Sequence, residues 1–143
     1  MTIDQYKTVS ILLVEDDDVD AMGVERALNK MKLANPFLRA RDGIEGLEML
    51  RAKPADHPYL VLLDLNMPRM SGIEMLKIIR EDPLLTRTIV FVLTTSDDDI
   101  DKVAAYNEHI AGYVVKTKLD TDFGELMQLL DHYWRLVEMP TDE

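Results

Sequence analysis

The sequence lacks cysteine, any long apolar run and a targeting segment. Without cysteine among its 143 residues, it has no disulfide framework and no thiolate to serve as a metal ligand or a nucleophile. No apolar run approaches the roughly 20 residues that span a bilayer. The first residues, Met1 to Lys7, carry neither the basic nor the apolar block of a signal peptide. These absences predict a cytoplasmic protein without a membrane partner.

Basic residues are also few. The chain has 16 lysines and arginines against 27 acidic residues, which gives a formal net charge of −11. Such a charge repels phosphate backbones, so we expect no nucleic-acid partner. The glycine motifs that cradle nucleotide phosphates are absent. The acidic run from Asp16 to Asp20 lacks the glycine and the closing glutamate of a calcium-binding EF-hand loop. The sequence therefore argues against these classes of site.

Strand-like apolar segments alternate with helical periodicity along the whole chain. The strand-like segments occupy 9–14, 37–40, 59–63, 89–93 and 111–115, and apolar residues at helical spacing occupy 22–33, 44–50, 73–79, 100–107 and 122–137. Alternation at this spacing indicates right-handed crossovers and a parallel sheet. We predict one α/β domain over residues 1–143, with five parallel strands and five helices on both faces of the sheet.

Polar residues follow four of the predicted strands. The first strand ends in Glu15 and Asp16, the third in Asp64, the fourth in Thr94 and the fifth in Lys116. The carboxyl ends of parallel strands lie along one edge, where three carboxylates would repel one another unless a cation is present. Oxygen ligands without histidine or cysteine suit Mg²⁺, while a hydroxyl and an ammonium suit a phosphoryl group. Singly, each residue could be a helix cap or a surface ion pair. Together they predict a carboxylate that is phosphorylated with the help of Mg²⁺.

Four motifs carry a family resemblance. They are Leu-Leu-Val-Glu-Asp at 12–16, Leu-Leu-Asp-Leu-Asn-Met-Pro at 62–68, Val-Leu-Thr-Thr-Ser at 92–96 and Gly-Tyr-Val-Val-Lys at 112–116. In this order and over nearly the whole chain, they resemble the receiver domain of two-component response regulators. The resemblance implies a flavodoxin-like receiver fold with strand order 2-1-3-4-5.

The resemblance also implies the roles of the acidic residues. Asp64 is similar to the phosphoacceptor, which takes its phosphoryl group from a sensor histidine kinase. Glu15 and Asp16 are similar to the acidic pair that holds Mg²⁺, with Asp64 and the backbone carbonyl of Asn66 as further ligands. An alternative register, with Asp17 in the acidic pair, aligns less directly. Such a protein catalyses its own phosphorylation and, slowly, its own dephosphorylation, and it is not a classical enzyme.

Further roles follow from the same resemblance. Lys116 matches the lysine that binds the phosphoryl group, Thr94 the switch hydroxyl and Tyr113 the switch aromatic residue. Asn66 and Ser96 match two positions that tune dephosphorylation. In such domains the first helix contributes to kinase specificity, which here points to the residues around Val19, Asp20 and Gly23.

One residue departs from the family pattern. The family usually has proline after the lysine, with a cis peptide bond, whereas Thr117 follows Lys116 here. A cis bond before a residue other than proline costs roughly 2.5–4 kcal/mol. We therefore predict a trans bond between Lys116 and Thr117 and a locally altered loop.

The final helix has more apolar residues than one core-facing stripe requires. Leu129 and Leu136 lie outside a stripe formed by Phe123, Leu126, Met127, Leu130, Tyr133, Trp134 and Val137. This surplus predicts a homodimer through the fourth helix, the fifth strand and the fifth helix. The alternative is that Met139 and Pro140 fold back and cover this apolar surface within the same chain.

Three further segments narrow the resemblance. Residues 81–85, 94–97 and 133–140 look like those of the single-domain regulators that are paired with bacterial phytochromes, which are light-sensing histidine kinases. This resemblance implies a stand-alone regulator without an output domain that signals through protein contacts. The alternative is a binding adaptor that keeps the fold and acts independently of phosphorylation.

Overall fold

The structure is a computed structural model that describes residues 9–31, 35–52, 59–119 and 123–136, with only the backbone of Trp134 and Leu136. Five parallel strands form one sheet in the order β2-β1-β3-β4-β5. The strands are β1 Ser10–Val14, β2 Phe37–Ala40, β3 Tyr59–Leu63, β4 Ile89–Thr94 and β5 Gly112–Val115. The helices are α1 Asp18–Lys30, α2 Gly43–Ala52, α3 Gly72–Glu81, α4 Asp99–Asn107 and α5 Gly124–Leu136. The predicted fold class and strand order are confirmed.

Two apolar layers sandwich the sheet, because the interior strands β1 and β3 are buried on both faces. Leu12, Val61 and their neighbours on one face pack with α2 and α3, while Leu13 and Leu62 on the other pack with α1 and α5. Burial of each such leucine is worth about 1.5–3 kcal/mol. This double burial explains why the strands read as unbroken apolar runs. No helix in the described part of the chain is long and apolar enough to cross a bilayer.

Helix α1 begins four residues before the predicted start at Met22. The Asp17 side chain accepts hydrogen bonds from the backbone N–H groups of Val19 (2.8 Å) and Asp20 (3.1 Å), so it caps a helix that begins at Asp18. Met22 is 53% exposed and does not belong to the core face. The cap therefore places Asp20 in the first helical turn. The predicted end of this helix at Leu33 lies outside the described residues.

The fourth and fifth helices use their apolar residues differently. Ala105 is the only buried residue of α4, all of which is described, whereas Ile100 and Val103 are 76% and 60% exposed. The apolar spacing of α4 therefore does not mark a core face. Of the predicted stripe, Leu126, Met127 and Leu130 in α5 and Phe123 just before it are buried, while Leu129 is 47% exposed. Val137, Met139 and Pro140 lie outside the described residues, as do the side chains of Trp134 and Leu136.

Helix α3 begins against the backbone that follows β3. Ser71 caps the helix, and its hydroxyl and the Glu74 carboxylate form a reciprocal capping box. Gly72 donates its N–H to the Leu65 carbonyl at 3.0 Å. A Cβ on Gly72 would lie 2.5 Å from the carbonyl oxygen of Asp64. The missing side chain therefore allows the approach that positions Asp64.

We expect Gly72→Ala to lower the free energy of unfolding by about 2–3 kcal/mol, because the new methyl group would collide with backbone that cannot move aside. Gly46→Ala is the matched control. Its nearest contacts are side chains and not backbone, because the new Cβ would lie 2.9 Å from the end of the flexible Met75 side chain and 3.1 Å from the Val14 Cγ2 methyl. Urea denaturation of both variants measures the difference, and an equal loss in the two variants would contradict the proposed constraint.

Candidate functional site

Three carboxylates meet at the carboxyl edge of the sheet. Glu15 follows β1 and is 1% exposed, Asp64 follows β3 and is 7% exposed, and Asp16 is exposed. Asp64 donates its N–H to the Val14 carbonyl at 3.1 Å, and this bond continues the pairing of β1 with β3. One oxygen from each carboxylate lies within 4.8 Å of the other two. The structure thus brings together the acidic residues predicted from the strand ends.

Lys116 reaches the same edge from the end of β5. Its ammonium Nζ lies 2.5 Å from Glu15 Oε1, 2.7 Å from Asp20 Oδ2 and 3.9 Å from Asp64 Oδ2. The chain after β5 forms a short 3-10 turn, Lys116–Lys118. With Thr117 in place of proline, the ammonium is therefore still placed beside the carboxylates. The trans bond before Thr117 stays a prediction.

The charges at this edge are strongly coupled. Burial raises the pKa of the Glu15 carboxyl to about 7, although the hydrogen bond from Lys116 opposes this effect. Burial alone would lower the pKa of the Lys116 ammonium, but the carboxylates of Asp20 and Glu15 outweigh it and raise that pKa. Lys116 therefore stays charged at neutral pH, whereas a charged Glu15 lacks sufficient positive charge around it.

The donor set fits a divalent cation. Glu15, Asp16 and Asp64 offer only carboxylate oxygens, which are the hard ligands that Mg²⁺ and Mn²⁺ accept. A cation would also supply the positive charge that buried Glu15 lacks. The Asn66 carbonyl stays a predicted ligand. Asn66 itself is exposed, and its backbone N–H donates a hydrogen bond to Asp64 Oδ1, with 3.3 Å between nitrogen and oxygen.

Arg39 is a supporting residue that sequence reasoning missed. Its Nε and Nη2 donate hydrogen bonds to the Glu15 backbone carbonyl at 3.1 and 2.8 Å, and its Nη1 pairs with Asp18 Oδ1 at 2.6 Å. The guanidinium therefore holds the turn that carries Glu15 and Asp16. It lies in β2, and no motif signals that an arginine there contacts a residue 24 positions away.

A second ion pair supports the loop after β3. Arg69, in the left-handed region with φ of 67°, pairs with Asp42, which is 2% exposed at the start of α2. The Asp42 carboxylate also accepts the N–H of Glu45 at 2.9 Å. This pair ties the loop that carries Asn66 to the neighbouring helix. Only the tertiary structure reveals it, because the partners are 27 residues apart.

The predicted switch residues form one hydrogen-bonded chain after β4. Buried Thr94 accepts the N–H of Ser96 at its Oγ1 (3.4 Å), and the Tyr113 hydroxyl donates to the Ser96 carbonyl at 2.9 Å. The Ser96 hydroxyl donates to Asp101 Oδ2 at 2.6 Å. Ser96 therefore connects β4, β5 and the first turn of α4. Asp101 is a connecting residue that the motifs did not single out.

The residues predicted for kinase specificity do not form one surface. Val19 is 73% exposed, but Gly23 is buried against the ring of Phe123. The Asp20 carboxylate contacts Lys116. Of the three, Val19 alone is placed on the exposed face as expected.

The family comparison agrees with this geometry. The sequence model of the response regulator receiver domain family matches residues 11–131. The chain belongs to this family. The match contains all eight predicted site residues, from Glu15 to Lys116.

Several known regulators are similar over nearly their full length. Response regulator Rcp1 of Synechocystis sp. is 34% identical over 128 residues, which is 87% of each chain. The crystal structure of Mn²⁺-bound Rcp1 has a TM-score of 0.80 at 33% identity and covers 94% of this chain and 100% of that one. The phosphorylated cyanobacterial phytochrome response regulator RcpA has a TM-score of 0.81 at 31% identity, with 92% and 98% covered. This chain is therefore a response regulator that resembles phytochrome-associated members of the family.

We expect Asp16→Asn to weaken the binding of Mg²⁺ or Mn²⁺ at least about tenfold, the loss typical even of groups that only support a metal ligand. Asp16 is exposed, so its replacement leaves the core intact. Asp99→Asn removes the same charge from a residue whose side chain is 97% exposed in α4 and is the control. Calorimetric titration measures both affinities, and an unchanged affinity of the Asp16 variant would refute its role as a ligand.

Proposed function

We propose that this response regulator accepts a phosphoryl group from a sensor histidine kinase on Asp64. The observation that carries this proposal is the position of Asp64 between the acidic pair and Lys116. Its carboxylate lies in the three-residue oxygen cluster, and its Oδ2 is 3.9 Å from the Lys116 ammonium. A carboxylate so placed can act as a nucleophile toward an anionic phosphoryl group, because positive charge is available beside it.

The transfer forms one bond and breaks one. An oxygen of Asp64 attacks the phosphorus of a phosphohistidine, and the leaving imidazole nitrogen keeps the electron pair of the broken bond. Glu15, Asp16, Asp64 and the Asn66 carbonyl would hold Mg²⁺, which supplies positive charge to the phosphoryl oxygens when bound. Lys116 offsets the remaining charge. Slow hydrolysis of the acyl phosphate would end the signal, at a rate that Asn66 and Ser96 tune.

The hydrogen-bonded chain after β4 would carry the signal outward. A phosphoryl group on Asp64 adds acceptor oxygens that draw the Thr94 hydroxyl inward. Since Ser96 donates its N–H to Thr94 and receives the Tyr113 hydroxyl at its carbonyl, both contacts respond to that movement. The bond from Ser96 to Asp101 extends the response to α4. Thr94 and Tyr113 would thus act as the switch residues.

Incubation with acetyl phosphate and Mg²⁺ should increase the mass of the protein by one phosphoryl group, and Asp64→Asn should abolish the increase. Asp99→Asn is the charge-matched control and should be phosphorylated like the wild type. Intact-protein mass spectrometry gives the readout. An unmodified wild-type protein would favour the alternative function, an adaptor that binds partners independently of phosphorylation.

A phytochrome is the kinase class that we propose. The support is the likeness to RcpA, a phytochrome response regulator, and the match to Rcp1 over 87% of both chains. We further propose that residues 1–143 act in the cytoplasm as one receiver domain that signals through protein contacts. The charge of −11 speaks against direct binding to nucleic acid. Phosphotransfer from a panel of purified kinases tests the pairing, and exclusive transfer from kinases of other classes would reject it.

We also propose a homodimer through α4, β5 and α5. The apolar residues Ile100, Val103 and Tyr106 of α4 are 76%, 60% and 52% exposed, and Leu129 of α5 is 47% exposed. Exposed apolar groups on neighbouring elements favour a protein contact, because their burial removes them from water. The contact would lie beside the hydrogen-bonded chain of Ser96, so phosphorylation could change it.

Val103→Asp should weaken dimerisation at least about tenfold, since a carboxylate would be buried in the contact. Val19→Asp is the matched control, because it makes the same change at a residue that is 73% exposed on α1. Sedimentation equilibrium measures both constants. A wild-type protein that stays monomeric at high concentration, with and without phosphorylation, would exclude the dimer.

A further inference from the structure

Asp20 has a contact at the site that the phosphoryl transfer described above does not use. Its Oδ2 accepts a hydrogen bond from Lys116 Nζ at 2.7 Å, across 96 residues of sequence. The Lys116 side chain is 9% exposed and that of Asp20 is 30% exposed, so water only partly screens the pair. The ammonium is therefore shared between Asp20 on α1 and Glu15 after β1.

The position of Asp20 is set by its own helix. The backbone N–H of Asp20 donates to the capping carboxylate of Asp17 at 3.1 Å. This bond fixes the first turn of α1, and a carboxylate in a first turn also interacts favourably with the helix dipole. Asp20 therefore offers Lys116 a partner on a well-defined element.

The two carboxylates that contact Lys116 differ in whether they can also bind a cation. Glu15 belongs to the oxygen cluster suited to a divalent cation, whereas Asp20 does not. A cation that binds Glu15 competes with Lys116 for the same carboxylate. Asp64 Oδ2, at 3.9 Å, is beyond hydrogen-bond distance of the ammonium. Asp20 is thus the hydrogen-bonded partner that Lys116 can keep when the cation is bound.

We propose that Asp20 is a positioning residue for Lys116, which its carboxylate holds beside Asp64 while a divalent cation occupies the acidic cluster. This proposal rests on the function proposed for Asp64 and adds a residue to it. A lysine held in this way loses little freedom when it meets the phosphoryl group, so the phosphodonor binds at lower concentration. The opposite role, in which Asp20 draws Lys116 away from the phosphoryl group, predicts an effect of opposite sign.

The kinetic test uses acetyl phosphate at saturating Mg²⁺. Asp20→Asn should raise the half-saturating concentration of acetyl phosphate about tenfold, the factor that corresponds to roughly 1.4 kcal/mol. Asp20→Glu, which keeps the charge, should restore part of this loss. Glu25→Gln removes a charge from the exposed face of the same helix and should change nothing. An unchanged or lower half-saturating concentration in Asp20→Asn overturns the proposal.

A second measurement does not depend on phosphorylation. The ε-methylene signal of Lys116 is recorded by carbon–proton NMR in excess Mg²⁺ and assigned with Lys116→Arg. In Asp20→Asn this signal should move toward that of a solvated lysine, while Glu25→Gln leaves it in place. An unmoved signal in Asp20→Asn overturns the positioning role. If the wild type takes no phosphoryl group on Asp64, the proposed function fails separately, and this signal still decides the role of Asp20.

Discussion

The site depends on the balance between the clustered carboxylates and the ammonium of Lys116 at one edge of the sheet. Parallel strands bring Glu15 and Asp64 together at their carboxyl ends, and burial makes their negative charge costly. The ammonium of Lys116 offsets part of this charge, but the pKa of Glu15 is still raised to about 7. The remaining excess of negative charge is what a divalent cation would neutralise. A cation therefore complements an edge that the protein balances only in part, and it would also offset the negative charge of an incoming phosphoryl group.

Supporting contacts keep this edge in place from three directions. Arg39 binds the backbone of Glu15, and Arg69 pairs with Asp42 to hold the loop after β3. Gly72 lets α3 begin against the backbone of Asp64. These groups do not touch a reacting atom in the mechanism proposed above. They limit how the carboxylates can move, and a precisely held site needs such limits because small displacements weaken both metal binding and transfer.

The sequence was sufficient to predict the strands that are buried on both faces. The runs that became β1 and β3 are apolar on both faces, so neither register nor partner was needed to recognise them as central strands. Apolar spacing was misleading where burial was incomplete. It placed the start of α1 at Met22, whereas the cap at Asp17 begins the helix earlier. In α4 the apolar spacing includes Val103, which is 60% exposed. Periodicity shows that a helix forms, but not which neighbour covers its apolar face.

For the site, the residue types that follow the strands were enough to predict the chemistry at this edge. Asp64 and Lys116 were identified because each follows an apolar strand segment, and parallel pairing carries such ends to one edge. Which charged side chains come into contact depends on the folded chain. Asp20 contacts Lys116 and Arg39 contacts Glu15 because strand register and helix caps bring together residues distant in the chain. Such pairs leave no local pattern, since their spacing depends on the loops between them.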